Sequence, residues 1–308
     1  VSAVGRVLFT SGVLILAFVA YQLWGTGFYE ARQQSDLKAD FRKELAASAR
    51  PVATPPSSTP APAPTTSTTT PPATAPSPPP PGDAVAIIRI PEIGVDHAVV
   101  EGVGRPDLRR GPGHYPGTPL PGQLGNAAIA GHRTTYGAPF NRLDELRPGD
   151  AISVTTLAGT FKYRVQGLQV VRPSDVAVLD PHPDPTKPGQ PLATLTLTTC
   201  NPKYSAAQRL VATAVLDAPK SPPPAPAPVH IATKPVVHLD APGASWGTGH
   251  DRLVLAGWGA VLAVVGFGWW WLFHRHKSWR TWLAGLIPFA AVLFVFDSHL
   301  ERMLPGNF

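Results

Sequence analysis

The sequence predicts an all-β domain, a sandwich or barrel of about 135 residues, carried between hydrophobic segments by Pro-rich linkers. Three observations predict it. Between residues 83 and 217, short β-favouring runs are separated by Gly, Pro, Asn and Asp. On either side, the chain's 38 prolines concentrate in 51–82 and 218–250, stretches with no packing face. Beyond those stretches lie apolar runs of the kind that cross membranes.

Residues 7–24 (VLFTSGVLILAFVAYQLW) approach the ~20 apolar helical residues that a bilayer core requires, so 1–27 is expected to be an N-terminal transmembrane anchor. The run is long for the core of a signal peptide and no clear Ala-x-Ala site follows it, which favours an uncleaved anchor. Residues 28–50 mix charge with apolar residues at helical intervals and predict a short amphipathic or solvated stalk helix with no chemistry of its own. Residues 51–82 contain only Pro, Ala, Thr, Ser, Val and Gly. Extended at ~3.1 Å per residue, such a spacer reaches on the order of 100 Å and is expected to hold a domain well away from the membrane.

Within 83–217 the strand candidates are 84–90, 96–103, 125–131, 151–157, 160–171, 193–200 and 209–216. None of the eight tryptophans falls in this region; all lie in or near the flanking membrane segments, as interfacial anchoring predicts. After the linker 218–250, two further hydrophobic segments (253–273 and 282–296, within 251–297) precede a tail at 298–308. The loop between them, HRHKSWR (274–280), is rich in positive charge and is therefore expected in the cytoplasm, which puts the β domain and the tail outside. Pro288 in the short last run leaves a tilted or re-entrant segment open.

The net charge of +6 does not mark a nucleic-acid surface. Residues 83–217 carry 13 Lys and Arg against 12 Asp and Glu, and the surplus flanks the hydrophobic segments instead of forming the clustered cations that phosphate neutralisation needs. One cysteine makes no intramolecular disulfide, and there is no CxxC or HExxH for zinc. Glu92, Asp96, Glu101 and Asp107 lack the dense spacing of a calcium loop and read as solvated carboxylates. No metal or cofactor is expected.

The chemistry concentrates around that single thiol. In TLTTC (196–200) the period of two puts Thr196, Thr198 and Cys200 on one face and Leu195, Leu197 and Thr199 on the other. Asn201-Pro202 breaks the strand, and the next one starts at Arg209, so in a hairpin Cys200 and Arg209 flank the loop, ~5 Å apart at the backbone. A nucleophilic thiol needs a base or a cation nearby. Arg209 stays protonated and suits an oxyanion instead. His132, after the apolar run GNAAIAG and before a Gly-containing turn, is the candidate acid/base, with His114 in GPGHYPG its competitor; His97 and His182 have no comparable setting.

At these residues the sequence resembles the sortases. AGHRTTYGAPFNRLDELRPGD (130–150), LTLTTCNPKYS (195–205) and Arg209 are similar to that family's His, Cys and Arg motifs in the same order, and GPGHYPGTPLPGQLGN (111–126) is similar to class E members. The resemblance covers about 85–216. It implies a closed eight-stranded β-barrel in which Cys200 attacks a Thr-Gly bond of an LAxTG- or LPxTG-like C-terminal sorting signal, His132 protonates the leaving amine and Arg209 holds the oxyanion. The partners it implies are secreted proteins bearing that signal and an amine on a peptidoglycan precursor or another protein, met at the plasma membrane on its cell-wall side. Tyr115 is associated with the signal preference, and Thr196 and Thr198 are expected to contact the substrate. The two C-terminal hydrophobic segments depart from the simplest class E layout, and 83–131 lacks the Asp-Pro-aromatic lid of pilus-building members. Two other readings stand beside this one: a cysteine hydrolase in which water resolves the thioester, and a non-catalytic wall-spanning binding module.

Overall fold

The structure, a computed structural model, describes residues 12, 14–48, 79–226, 249–273 and 279–303. The start of the predicted anchor, most of both Pro-rich linkers and the centre of the basic loop lie outside the described residues.

Helical backbone runs from residue 14 through a π-helical turn, Tyr21–Gly25, into α1, Thr26–Ser48. The barrel follows. β1 (Ala84–Ile90) and β2 (Val95–Glu101) form a hairpin closed by Gly94 in the left-handed region, φ 72°. After a single helical turn, α2 (Arg105–Leu108), come β3 (Gly113–His114) and β4 (Gly125–Ala130). β5 (Ala151–Thr156) and β6 (Gly159–Val171) form a second hairpin, and β7 (Ala193–Asn201) and β8 (Gln208–Leu216) a third. The order β1-β2-β3-β4-β7-β8-β6-β5 closes through β1 and β5, so the expected eight-stranded barrel is what the chain forms.

All seven sequence-predicted strands are present within a residue or two. The eighth, β3, has only two residues, too few to show alternation. It fits because Gly113 has no side chain: a Cβ there would lie 2.1 Å from the Gly102 carbonyl oxygen. The barrel interior is filled by Ile88, Ile90, Val99, Ile129, Phe140, Ile152, Phe161, Tyr163, Leu195 and Leu197. Leu195 and Leu197 thus point inward from β7, leaving Thr194, Thr196 and Thr198 on its outer face, as the alternation predicts. That outer face is buried too, because the chain from Val176 to Asp180 folds over it. Asn126 Nδ2 donates to the Val178 and Asp180 carbonyls at 3.0 and 3.3 Å, while Asn126 Oδ1 accepts from Thr194 and Thr196 at 3.1 and 2.8 Å.

Of the two forms expected for the stalk helix, amphipathic or solvated, the structure has the amphipathic one, packed on the barrel. One face of α1, at Thr26, Glu30, Gln34, Leu37 and Phe41, is buried at spacings of three and four. Leu37 packs with Ala98 and Val100 of β2. Gln34 completes the open edge of β2: its Oε1 accepts from Ala98 N at 2.7 Å, and its Nε2 donates to the Ala98 and Arg110 carbonyls at 3.0 and 2.9 Å. Those backbone groups have no strand beside them, and a buried amide supplies what a ladder would have. Glu30 meets His97 Nε2 at 3.2 Å.

Two of the acidic residues expected to be solvated are also built in. Glu101 is buried, 2.7 Å from His114 Nδ1, because the parallel β2–β3 pairing sets the two opposite each other. Asp107 accepts from Gly104 N and caps α2.

Toward the C-terminus, α3 (Gly249–Phe273) contains a 21-residue stretch, Arg252–Leu272, of mean hydropathy 1.8 and with no residue buried, long and apolar enough to cross a membrane. α4 (Trp279–Met303) carries a shorter apolar stretch, Ile287–Leu300, with Pro288 inside the helix. α3 and α4 pack through Trp269 on Phe289 (5.7 Å) and Trp258 on His299 (6.1 Å), and Phe294 of α4 meets Tyr21 edge-on at 5.1 Å.

Candidate active site

The β7–β8 hairpin sets the register of the site: Cys200 pairs directly with Arg209 across the ladder, as the loop-flanking positions predict. His132 arrives from the other side, two residues past β4, which lies parallel to β7. The loop that carries it is fastened at both ends. Gly131 N donates to the Thr198 carbonyl at 3.0 Å, Thr199 Oγ1 to the Gly131 carbonyl at 2.7 Å, and Phe140 N to the His132 carbonyl at 3.0 Å.

Its centre turns through three consecutive residues with positive φ: Tyr136 (49°), Gly137 (70°) and Ala138 (45°). For Tyr and Ala this conformation is unfavourable and persists only where neighbours hold it. Here α1 holds it. Thr26 Oγ1 accepts from Tyr136 N at 3.2 Å, the Tyr29 and Tyr136 rings meet edge-on at 6.5 Å, and Glu30 Oε2 lies 2.4 Å from where a Cβ on Gly137 would sit. The Tyr136 ring in turn lies 5.2 Å from that of His132.

Cys200, His132 and Arg209 are all buried, each less than a tenth exposed. Burial pushes the Cys200 thiol up from its ordinary value, against the opposing pull of the Arg209 and Arg133 guanidinium groups. Burial, with Arg109 adding to it, pushes the His132 imidazole down to about 4. The resting pair at neutral pH is therefore a neutral thiol and a neutral imidazole.

Cys200 and His132 open into one cleft of about 310 Å³, whose other walls are Arg133, Thr134 and Thr135, Tyr204, Ser205 and Ala206, and Phe18, Val19 and Gln22 of the N-terminal helix. Arg209 is not among its lining residues. Its Nη1 donates to the carbonyls of Ala206 and Gln208 at 2.9 and 3.1 Å, and its charge acts on the thiol from the paired strand.

The three residues expected to touch substrate, Tyr115, Thr196 and Thr198, are buried and are not among the residues lining this cleft. Tyr115 is buried with Leu108, Ala128, Ala130 and Leu179, and its hydroxyl shares a hydrogen bond with Thr198 Oγ1 at 2.9 Å. Desolvation pushes that phenol up to about 12. Thr196 is fully buried on Asn126. His114, the competing histidine, is a structural residue: besides Glu101 it contacts the Pro119 carbonyl and the Thr118 hydroxyl, both at 3.0 Å. Among the described residues no three His, Cys, Asp or Glu side chains converge as a metal set.

Arg133, which sequence reasoning passed over, ties the two halves of the site together. Nearly all of its side chain is buried. Nη1 donates to the Cys200 carbonyl at 3.1 Å and to Asn201 Oδ1 at 2.7 Å, and Nη2 lies 3.0 Å from Asp144 Oδ1. Its position beside His132 is the only signal the sequence carries.

The closed β-barrel thus brings a cysteine and a histidine to one cleft, with an arginine across the ladder from the thiol. Residues 88–217 match the sortase domain, so the barrel is a sortase domain. It is 33% identical to Sortase SrtE1 of Streptomyces coelicolor over 217 residues, covering 68% of this chain and 55% of that protein. With Sortase D of Bacillus subtilis the identity is 31% over 121 residues, 39% of this chain and 56% of that one, so the chain spans just over half the length of these two relatives. Among solved structures, sortase E from Streptomyces avermitilis is 40% identical, with a TM-score of 0.39 over 44% of this chain and 89% of that chain.

Proposed function

We propose that the chain is a membrane-anchored cysteine transpeptidase that acts on an LAxTG- or LPxTG-like sorting signal. The observation that carries this reading is the shared cleft: Cys200 and His132 both line it, and the cation of Arg209 acts on the thiol from the paired strand. Cys200 gives its proton to His132 as Sγ attacks the Thr carbonyl. The Sγ–C bond forms, the C–N bond to Gly breaks, and the leaving amine takes the proton from His132. An amine on a peptidoglycan precursor or another protein then attacks the thioester and gives a proton to His132; the new C–N bond forms, the C–S bond breaks, and the departing Cys200 thiolate takes that proton back from His132. Arg209 and Arg133 stabilise negative charge at the thiolate and the oxyanion. Tyr115, bonded to Thr198, and Thr196, bonded to Asn126, are buried polar residues that support the strand carrying Cys200. The family and the apolar helix within α3 support anchoring in the membrane. The positive loop at 274–280 supports an orientation with the barrel on the cell-wall side.

The test is intact mass spectrometry of the detergent-solubilised full chain after incubation with an LAxTG or LPxTG peptide. A thioester adduct is expected for the wild type and none for Cys200→Ala. Adding an amine should convert hydrolysed product into ligated product. Cleavage by the alanine variant would falsify the nucleophile, and product unaffected by amine would make the chain a hydrolase.

A further inference from the structure

The buried stripe of α1 does not stop where the barrel does. Stepping back from Thr26 by helical intervals, the same face continues to Gln22 and then to Val19 and Phe18. Along α1 this face is packed against the barrel, whereas one turn earlier it stands across an open space. Phe18 and Gln22 are half-buried and Val19 is 45% exposed. That space is the cleft containing Cys200 and His132. The changeover falls at the π-helical turn Tyr21–Gly25, an irregularity of a kind common at functional sites.

We infer that Phe18, Val19 and Gln22 form a substrate-selecting wall of the active site, receiving the apolar leucine side chain at the start of the signal peptide. The inference rests on the transpeptidase reading for the identity of the substrate. The wall is apolar at Phe18 and Val19 and offers one amide at Gln22, and the only formal charge among the cleft's lining residues is the cation Arg133, apart from any on His132 or Cys200. An uncharged side chain against Phe18, with a peptide backbone group at Gln22, matches that lining. Phe18 and Val19 belong to the apolar run 7–24, so the predicted anchor helix would itself select substrate.

The experiment uses the full chain in lipid nanodiscs. Phe18→Ala should raise KM for an LAETG peptide about five- to tenfold and leave kcat within about twofold, while Phe18→Trp should restore discrimination between LAETG and AAETG. Ile15→Ala, on an exposed part of the same helix (63%), is the control expected to match wild type. A second readout needs no turnover: Phe18→Ala should speed labelling of Cys200 by a bulky fluorescent maleimide several-fold relative to iodoacetamide. Neither Phe18 nor Val19 is a core residue, so the variants are expected to fold. If both Phe18 variants leave KM and the labelling ratio at wild-type values, the wall is refuted. If no peptide forms a thioester yet the labelling ratio responds, the wall stands and the transpeptidase reading fails.

Discussion

Replacing Arg133 with methionine removes charge and hydrogen bonds while keeping most of the volume. In the structure this side chain, 4% exposed, makes two charge-assisted donations, to the Cys200 carbonyl and Asn201 Oδ1, and one ion pair with the half-exposed Asp144. Hydrogen bonds to a charged group contribute about 1.5–3 kcal/mol each. An ion pair with an exposed partner adds at most about 1 kcal/mol. Relief from burying a cation offsets part of the sum, leaving a net loss of about 2–4 kcal/mol. For a domain of this size that is a fall in Tm on the order of 5–15 °C, read by thermal unfolding of the full chain in detergent. A structural role alone predicts no more than this. A positioning role also predicts that kcat falls about 10- to 100-fold with KM little changed, since Cys200 loses the contact that fixes its carbonyl relative to the His132 loop. Arg133 opposes the rise in the thiol pKa, so Arg133→Met should move the pH profile of iodoacetamide alkylation to higher pH, and Arg133→Lys should bring it back. An Arg133→Met protein with unchanged melting and an unmoved alkylation profile would refute the argument.

Two further outcomes follow from the packing and electrostatics. Gln34→Ala leaves the buried Ala98 amide and carbonyl without their partners and should cost about 2–4 kcal/mol by chemical unfolding, whereas a variant as stable as wild type would mean that α1 docks without this contact. Because burial raises the Cys200 thiol and lowers His132 to about 4, the alkylation rate should climb steadily from pH 6 into the alkaline range. A shoulder between pH 6 and 7 would show instead that a titrating imidazolium holds the thiol ionised at rest.

The elements that the sequence made legible are those whose signal is local. Period-two alternation assigned the inner and outer faces of β7, and Asn201-Pro202 followed by Arg209 set the hairpin register that brings Cys200 opposite Arg209. What it hid depends on pairings between distant segments. Glu101 looks like a solvated carboxylate until the parallel β2–β3 pairing puts His114 beside it. β3 has no alternation to read, and Gly113 is required there by the approach of Gly102, which no nearby residue announces. Arg133 is an ordinary loop arginine unless the Cys200 carbonyl is known to point at it. Thr196 and Thr198 were assigned to the correct face, but their burial depends on the segment Val176–Asp180 that covers it.

The same distinction explains the N-terminal helix. Charged and amide residues on α1 read as a solvated face because polar side chains are rarely buried without partners. Gln34 and Glu30 are buried because the partners exist: the open edge of β2 and His97. This changes how the barrel relates to the membrane. A domain joined to its anchor only by a Pro-rich spacer would sit wherever that spacer let it, up to roughly 100 Å away. With helical backbone running from residue 14 to 48 and docked on β2, the separation between the N-terminal apolar run and Cys200 is set by the helix, whatever the length of the Pro-rich stretch. The positive-φ turn at Tyr136–Ala138, which orients the His132 loop, leans on Thr26 and Glu30 of that helix. Removing the anchor together with α1 would therefore do more than release the barrel from the membrane, since it would also withdraw the support of the loop that carries His132.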